Sequence, residues 1–104
     1  MTPTARSLAL LRKEGWIAQV VEQTIRGAGI VFKRDLFTIG DIIAIREERT
    51  LLVQTTSANN FSSRLQKVGD CEYLPAIRKA GWQIELHGWA KRKGRWRVRR
   101  EDVS

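Results

Sequence analysis

Apolar residues spaced three and four positions apart predict helices in two parts of the chain. The first helix is expected over residues 4–14, where Leu8 and Leu11 share one face. Gly15 follows it, and glycine is a typical helix stop. The second helical region begins after a polar loop and continues, with one interruption, towards Gly81. Its apolar positions are Phe61, Leu65, Val68, Leu74 and Ile77.

Runs of β-branched and other apolar residues predict the strands. These runs cover residues 16–24, 41–45, 50–56, 82–89 and 95–103. The unbroken apolar run at 51–53 is typical of a strand buried on both faces. Residues 30–37 fit either a strand edge or an ordered loop.

The predicted elements follow the order α-β-β-β-α-β, with a C-terminal β-ribbon after them. Alternating helices and strands are typical of an α/β fold in which helices flank a central sheet. A chain of 104 residues, 42% of them apolar, suits one domain with one modest core. The sequence therefore predicts a single α/β domain over residues 1–104, with a mixed central sheet flanked by helices.

The charge balance narrows the classes of function. The chain has 19 Lys and Arg residues against 11 Asp and Glu, a net charge of +8. The cations are clustered, which favours nucleic acid as a partner. One cysteine and one histidine exclude a disulfide, a zinc site and a His-rich metal site. The lone cysteine fits a reducing cytoplasm, and we expect a cytoplasmic protein with no signal peptide and no membrane contact.

A carboxylate and an amide are expected at the same end of the hairpin formed by strands 41–45 and 50–56. Asp41 stands at the mouth of the first strand, and Gln54 lies near the end of the second. A carboxylate with a second oxygen ligand is how proteins hold Mg²⁺ or Mn²⁺ beside a phosphate. An ion held there polarises a phosphoryl oxygen and activates water. Asp41 and Gln54 are therefore the candidate metal ligands.

Two sequence pieces, GDIIAI at 40–45 and LLVQTTS at 51–57, carry a family resemblance. Together with the element order over residues 4–89, they resemble the core of the PD-(D/E)XK nucleases, especially the archaeal Holliday junction resolvase branch. The resemblance implies a restriction-endonuclease-like αβββαβ core. It also implies a Mg²⁺- or Mn²⁺-dependent endonuclease acting on DNA, including branched DNA, and a homodimer.

The resemblance assigns Asp41 to the family's first acid and residues 54–56 to its E-x-K triplet. That motif is degenerate here, since Gln54 stands at the position of the glutamate and Thr56 at that of the lysine. Thr4 stands where many members carry a glutamate on the first helix. Only Asp41 retains the family's residue type among these four positions.

Other residues offer replacements for the missing groups. Glu22 and Asp35 are acids on elements that border the same cleft, and Lys67 on the next helix is a candidate activator. Each also has a purely structural alternative. Glu22 is then a solvated strand end and Lys67 part of a solvated helix face, while Asp35 pairs with Arg34 or caps a turn.

Two groups of residues are expected to contact phosphates through hydroxyl, amide and cationic donors. The first is Thr56, Ser57, Asn59 and Arg64, and the second is Lys91, Arg92, Lys93 and Arg95 in the ribbon. Helix capping is the alternative for the polar members of the first group. A solvated edge that prevents strand aggregation is the alternative for the second. Trp89 and Trp96 flank the basic residues and are candidates for base stacking or cross-strand packing.

These observations favour a DNA-binding protein with the chemistry of a Mg²⁺-dependent endodeoxyribonuclease. In that hypothesis the catalytic group comprises Asp41, Gln54, Glu22, Asp35 and Lys67. Two alternatives stay open at this point. One is a nuclease-fold module that binds DNA without cutting it, and the other is a basic RNA- or ribosome-associated domain.

Overall fold

The computed structural model describes all 104 residues. The helices are α1 (Pro3–Lys13), α2 (Phe61–Gly69) and α3 (Leu74–Lys79), and a 3₁₀ turn at Ala58–Asn60 precedes α2. The strands are β1 (Ile17–Val20), β2 (Gln23–Gly27), β3 (Ile30–Arg34), β4 (Ile42–Arg46), β5 (Arg49–Ser57), β6 (Gln83–Arg92) and β7 (Arg95–Asp102). None of the helices combines the length and the apolar character needed to cross a bilayer.

Five of the strands form one sheet in the order β1-β4-β5-β6-β7. β5 and β6 run parallel, and the other neighbours run antiparallel. β2 and β3 pair only with each other and form a separate hairpin. The predicted α/β architecture with a mixed sheet and helices is therefore confirmed.

The chain between β1 and β4 differs from the single strand predicted at 16–24. β1 ends at Val20, and the N–H of Val21 donates instead to the carbonyl oxygen of Asp41 at 2.9 Å. From Gln23 onwards the chain belongs to the separate hairpin. The residues that fit a strand edge or a loop form its second strand, β3. The sequence pattern hides this break because both halves favour extended backbone.

Each face of the sheet packs against helices, and β5 lies at the centre. The apolar run at 51–53 of β5 is buried as predicted, and the polar residues 54–56 that follow it are buried too. One face packs on α1 through Leu11, Ala18, Ile42, Ala44, Leu51 and Val53. The other packs on α2 and α3 through Leu52, Val68, Leu74, Ile77 and Ile84.

Helix α2 lies close against β6 at a glycine. A Cβ added to Gly88 would lie 2.5 Å from Cδ2 of Phe61, the buried first residue of α2. The polar loop before α2 provides no side-chain cap, since it forms the 3₁₀ turn instead. The helix-capping alternative for that loop is therefore wrong, which leaves its side chains available for other contacts.

Candidate functional site

Three acidic side chains converge at the end of the sheet where β4 begins. One carboxylate oxygen from each of Glu22, Asp35 and Asp41 lies within 4.8 Å of the other two. We call this group the acid cluster. All three are predicted from the sequence as candidate catalytic residues, and the fold brings them together from three separate segments.

A tight turn places Asp35 beside Asp41. Leu36 and Gly40 form an isolated antiparallel bridge, with N–H···O distances of 2.9 and 2.8 Å, so the residues that flank the turn become neighbours. A Cβ at Gly40 would lie 2.3 Å from Cδ1 of Leu52, which is fully buried. Glycine at this position therefore lets the turn pack directly on the core.

Glu22 is brought to the cluster by the bond that ends β1. Because Val21 donates to the carbonyl oxygen of Asp41, the next residue lies beside that carboxylate. The Glu22 side chain is 22% exposed and pairs with Nζ of Lys33 at 3.2 Å. The description of Glu22 as a solvated strand end is therefore wrong.

Lys67 of α2 contacts the acid cluster through Asp35. Its Nζ lies 3.7 Å from Oδ2 of Asp35, and the lysine side chain is 46% exposed. Arg34 forms no ion pair with Asp35, which removes that alternative. Lys67 is thus both solvated and in contact with one acid of the cluster.

The carboxylate of Asp41 is fixed by three hydrogen bonds to a single oxygen. Oδ2 accepts from the Thr55 backbone N–H at 2.8 Å, from Nε2 of Gln54 at 2.7 Å and from Oγ1 of Thr55 at 3.2 Å. Oδ1 accepts no hydrogen bond from an N–H or hydroxyl group of the protein, while the Asp35 carboxyl is close enough to hydrogen-bond with the Asp41 side chain. One oxygen therefore holds the side chain in place, and the other receives no such donor.

Gln54 lies next to Asp41, as expected for neighbouring strands, but not in the orientation of a metal ligand. An ionised carboxylate only accepts hydrogen bonds, so the amide turns its nitrogen towards Asp41. The amide oxygen of Gln54 is buried without a partner, and the residue does not line the cleft. The structure thus makes Gln54 a donor that positions Asp41, and the group that could hold a metal consists of Glu22, Asp35 and Asp41 without Gln54.

Burial controls the ionisation of Asp41. Desolvation, helped by the neighbouring Asp35, raises the pKa of its carboxyl from 3.8 to about 6, and hydrogen bonding from Thr55 opposes this rise. A bound cation would compete with this proton. Cation binding at the cluster is therefore expected to strengthen as pH rises through 6.

The raised pKa of Asp41 predicts a pH-dependent stability. The folded state favours the protonated acid, so this contribution is complete below pH 3.8 and is lost as pH rises to about 6. Relative to wild type, the unfolding free energy of Asp41→Asn should rise by about 2 kcal/mol between pH 4 and pH 8 in EDTA. Urea denaturation of both proteins across that range measures the difference. Asp102→Asn is the control, at an exposed acid whose pKa is lowered, and should show no such gain above pH 5. The prediction would be contradicted if the difference in unfolding free energy between Asp41→Asn and wild type stayed constant across the pH range.

The acid cluster opens into a cleft of about 440 Å³, which we call the acid cleft. No large apolar side chain lines it. Besides the three acids, its lining includes Thr4, Thr55, Thr56, Ser57, Asn60 and Arg64. Oγ1 of Thr4 lies 2.7 Å from Oγ1 of Thr55, so the first helix meets β5 here without contributing an acid.

Two further clefts contain the remaining residues expected to contact nucleic acid. One of about 530 Å³, the tryptophan cleft, shares Pro3 and Ser57 with the acid cleft. It is also lined by Asn59, Arg6, Trp89, Lys91, Arg92 and Trp96. The other, the cationic cleft, is lined only by Arg92, Lys93, Arg95 and Arg97. Both groups of predicted contact residues therefore lie on a connected surface around the acid cleft.

Two residues of this region were not anticipated from the sequence. Arg6 of α1 lies over the Trp96 ring, with Cζ 3.6 Å from the ring centroid. His87 is fully buried, and its Nδ1 lies 2.8 Å from Oγ of Ser7 in α1. The sequence carries no signal for either contact, because each joins residues about 80 to 90 positions apart.

Comparison with known proteins identifies no relative of this chain. A scan against protein-family models and a search of the curated proteins each find no match. The assignment of function therefore depends on the chemistry of the acid cleft and the basic surface beside it.

Proposed function

We propose that the protein is a divalent-metal-dependent endonuclease acting on DNA, with a restriction-endonuclease-like core. The observation that carries the proposal is the convergence of Glu22, Asp35 and Asp41 in a polar cleft on a strongly basic protein. Acids that lie this close repel one another when ionised, and a cation removes that repulsion. The αβββαβ order of the family is met if the β2–β3 hairpin is an insertion between β1 and β4.

The donor set of the acid cluster fits Mg²⁺ or Mn²⁺. Both ions prefer carboxylate oxygens, and the cluster offers one from each of three acids. Glu22, Asp35 and Asp41 would hold the ion. When bound, such an ion supplies Lewis-acid polarisation of a phosphoryl oxygen and a more acidic water.

The surrounding residues each contribute a definite function in this proposal. Thr55 and Gln54 hold Asp41 in one orientation before substrate arrives, so no ordering is needed on binding. Lys67 neutralises part of the charge on Asp35 and is the candidate activator. Arg64 and Ser57 line the cleft and provide donors for the phosphates on either side of the reacting one.

The sheet register supports DNA as a substrate that reaches from the ribbon to the acid cleft. Ser57 at the end of β5 pairs with Trp89, and the β6–β7 ribbon continues beyond that point. The basic ribbon thus extends past the same end of the sheet at which the acids converge. Phosphates bound along the ribbon would lead a strand towards the acid cluster.

Self-association forms part of the proposal. β1 is an edge strand of the main sheet, and its Ile17, opposite Ile45 of β4, is 71% exposed. An exposed apolar pair on an unpaired strand edge is a surface that a second copy of the chain can cover.

Incubation of the purified protein with labelled duplex, branched and single-stranded DNA, and with RNA, tests the proposal. We expect cleavage of DNA in Mg²⁺ or Mn²⁺ and none in EDTA. DNA binding without cleavage would favour an inactive nuclease-fold module. A preference for RNA would favour the basic RNA-associated domain, and cleavage in EDTA would exclude the metal mechanism.

A further inference from the structure

The tryptophan cleft combines aromatic rings and unpaired cations beside the acid cleft. Its Trp89 is held in one orientation, because the indole N–H donates to Oγ of the buried Ser7 at 2.9 Å. Trp96 projects from the same side of the ribbon, one diagonal step away, and is 45% exposed. A ring left this exposed next to a fixed one forms a platform rather than part of the core.

Arg6 adds a second planar group to this platform. Its guanidinium is stacked on Trp96, and its buried Nε has no hydrogen-bond partner. No carboxylate lines the cleft, and Arg6, Lys91 and Arg92 form no salt bridge within the chain. A buried donor without a partner is unfavourable. The cleft is therefore preorganised for a ligand that is both planar and anionic.

We infer that the tryptophan cleft binds an unpaired nucleotide of the DNA strand whose backbone enters the acid cleft. The base stacks against the platform of Trp96 and Arg6, and its phosphate is held by Lys91 and Arg92. Stacking uses the face of a base, which duplex DNA does not expose, so the ligand is a single-stranded overhang, flap or branch. Contacts to faces rather than edges make this recognition tolerant of sequence.

The inference rests on the proposed function, because it assumes that the backbone of the same DNA strand enters the acid cleft. The two clefts adjoin, since both are lined by Pro3 and Ser57. It narrows the substrate from DNA in general to DNA that carries unpaired nucleotides next to the cleavage position. Fully paired DNA exposes no base face that could stack on the aromatic rings of this cleft.

Binding of three labelled DNA probes in EDTA tests the inference. The probes are a blunt duplex, the same duplex with a short single-stranded overhang, and one whose overhang lacks bases but keeps its phosphates. One stacked base contributes about 1–3 kcal/mol, so we expect the abasic overhang to bind about 5- to 150-fold more weakly than the normal one. Fluorescence anisotropy titrations measure the dissociation constants.

Trp96→Ala provides the matching change on the protein. It should weaken binding of the normal overhang by about 5- to 150-fold, as loss of the base does. The affinities for the blunt duplex and the abasic overhang should stay unchanged. Trp82→Phe, at the opposite end of β6, is the control and should alter none of the three. The abasic probe keeps the test valid even if Trp96→Ala folds poorly, because it leaves the protein intact.

Equal affinity of wild type for the normal and abasic overhangs would overturn the inference. An equal loss on blunt duplex in Trp96→Ala would do the same, and would make the cleft a contact for duplex backbone. Because the titrations contain no metal, they report on the stacking site whether or not the protein cleaves DNA. Metal-dependent cleavage by a protein insensitive to abasic overhangs would leave the proposed function intact and remove only this site.

Discussion

Asp41→Asn should reduce metal-dependent DNA cleavage by roughly a hundredfold or more. The substitution removes the charge of one of the three clustered acids, while the hydrogen bond from the Thr55 backbone can remain. A metal supplies several kcal/mol of charge stabilisation in the transition state, and each 1.36 kcal/mol is a tenfold change in rate. Single-turnover cleavage at saturating protein, with Mg²⁺ varied, measures the loss.

DNA binding separates a defect in chemistry from a defect in folding. Asp41→Asn should bind DNA in EDTA as well as wild type does, or better, because it removes a negative charge from the cleft. Glu22→Gln should show the same pattern, since its carboxylate belongs to the same cluster. Asp102→Asn, at an exposed acid outside the cleft, is the matched control for the loss of one carboxylate. Normal cleavage by Asp41→Asn would show that the acid cluster is not the reactive centre.

The position of Asp41 next to Gln54 is predictable from sequence because it is a local property. A short turn joins two strands, and the apolar pattern of each strand fixes which residues face each other. The structure adds the register that the pattern implies, with Ile42 opposite Val53 and the Asp41 N–H bonded to the Val53 carbonyl oxygen. Nothing distant in the chain is needed to bring these two side chains together.

The rest of the acid cluster depends on contacts that no local pattern encodes. Glu22 and Asp35 border the β2–β3 hairpin, and they meet Asp41 only because Val21 bonds back to it and Leu36 pairs with Gly40. The sequence identifies both acids as candidates because their elements border the same cleft. It does not predict that all three carboxylates meet, since their approach requires closing a turn and a hairpin that the strand propensities do not separate.

The orientation of Gln54 shows a different limit of sequence reasoning. An amide carries both a donor and an acceptor, so the residue type is compatible with binding a metal or with binding a carboxylate. The buried Oδ2 of Asp41, which also accepts from Thr55, is an acceptor, so it binds the amide nitrogen of Gln54 and not the amide oxygen. A residue that replaces the family's glutamate can thus preserve the position of the first acid without replacing the lost charge.

The ribbon places two cationic residues opposite each other. Arg92 lies directly opposite Arg95 across the β6–β7 pair, and neither forms a salt bridge. Like charges placed opposite each other on a sheet are destabilising. The alternative of a solvated edge accounts for the exposure of these residues but not for two arginines being paired with each other.

Replacing Arg92, Lys93 and Arg95 together by Gln should weaken DNA binding and reduce its dependence on salt. These residues line the cationic cleft, from which a bound strand can continue to the acid cleft. Each phosphate contact contributes about 0.7–0.9 to the slope of log K against log salt, so the slope should fall by about two to three units. Dissociation constants measured over a series of salt concentrations, in EDTA, provide the slope.

A control with the same change in net charge decides whether the effect is local. Lys13, Arg49 and Lys79 are exposed and lie at the other end of the sheet, where α1 and α3 end and β5 begins. Their replacement by Gln should leave the slope within about one unit of wild type, since long-range attraction is screened beyond about 10 Å. An unchanged slope in the ribbon variant, or equal reductions in both variants, would mean that the ribbon does not contact the DNA and that only the overall positive charge attracts it.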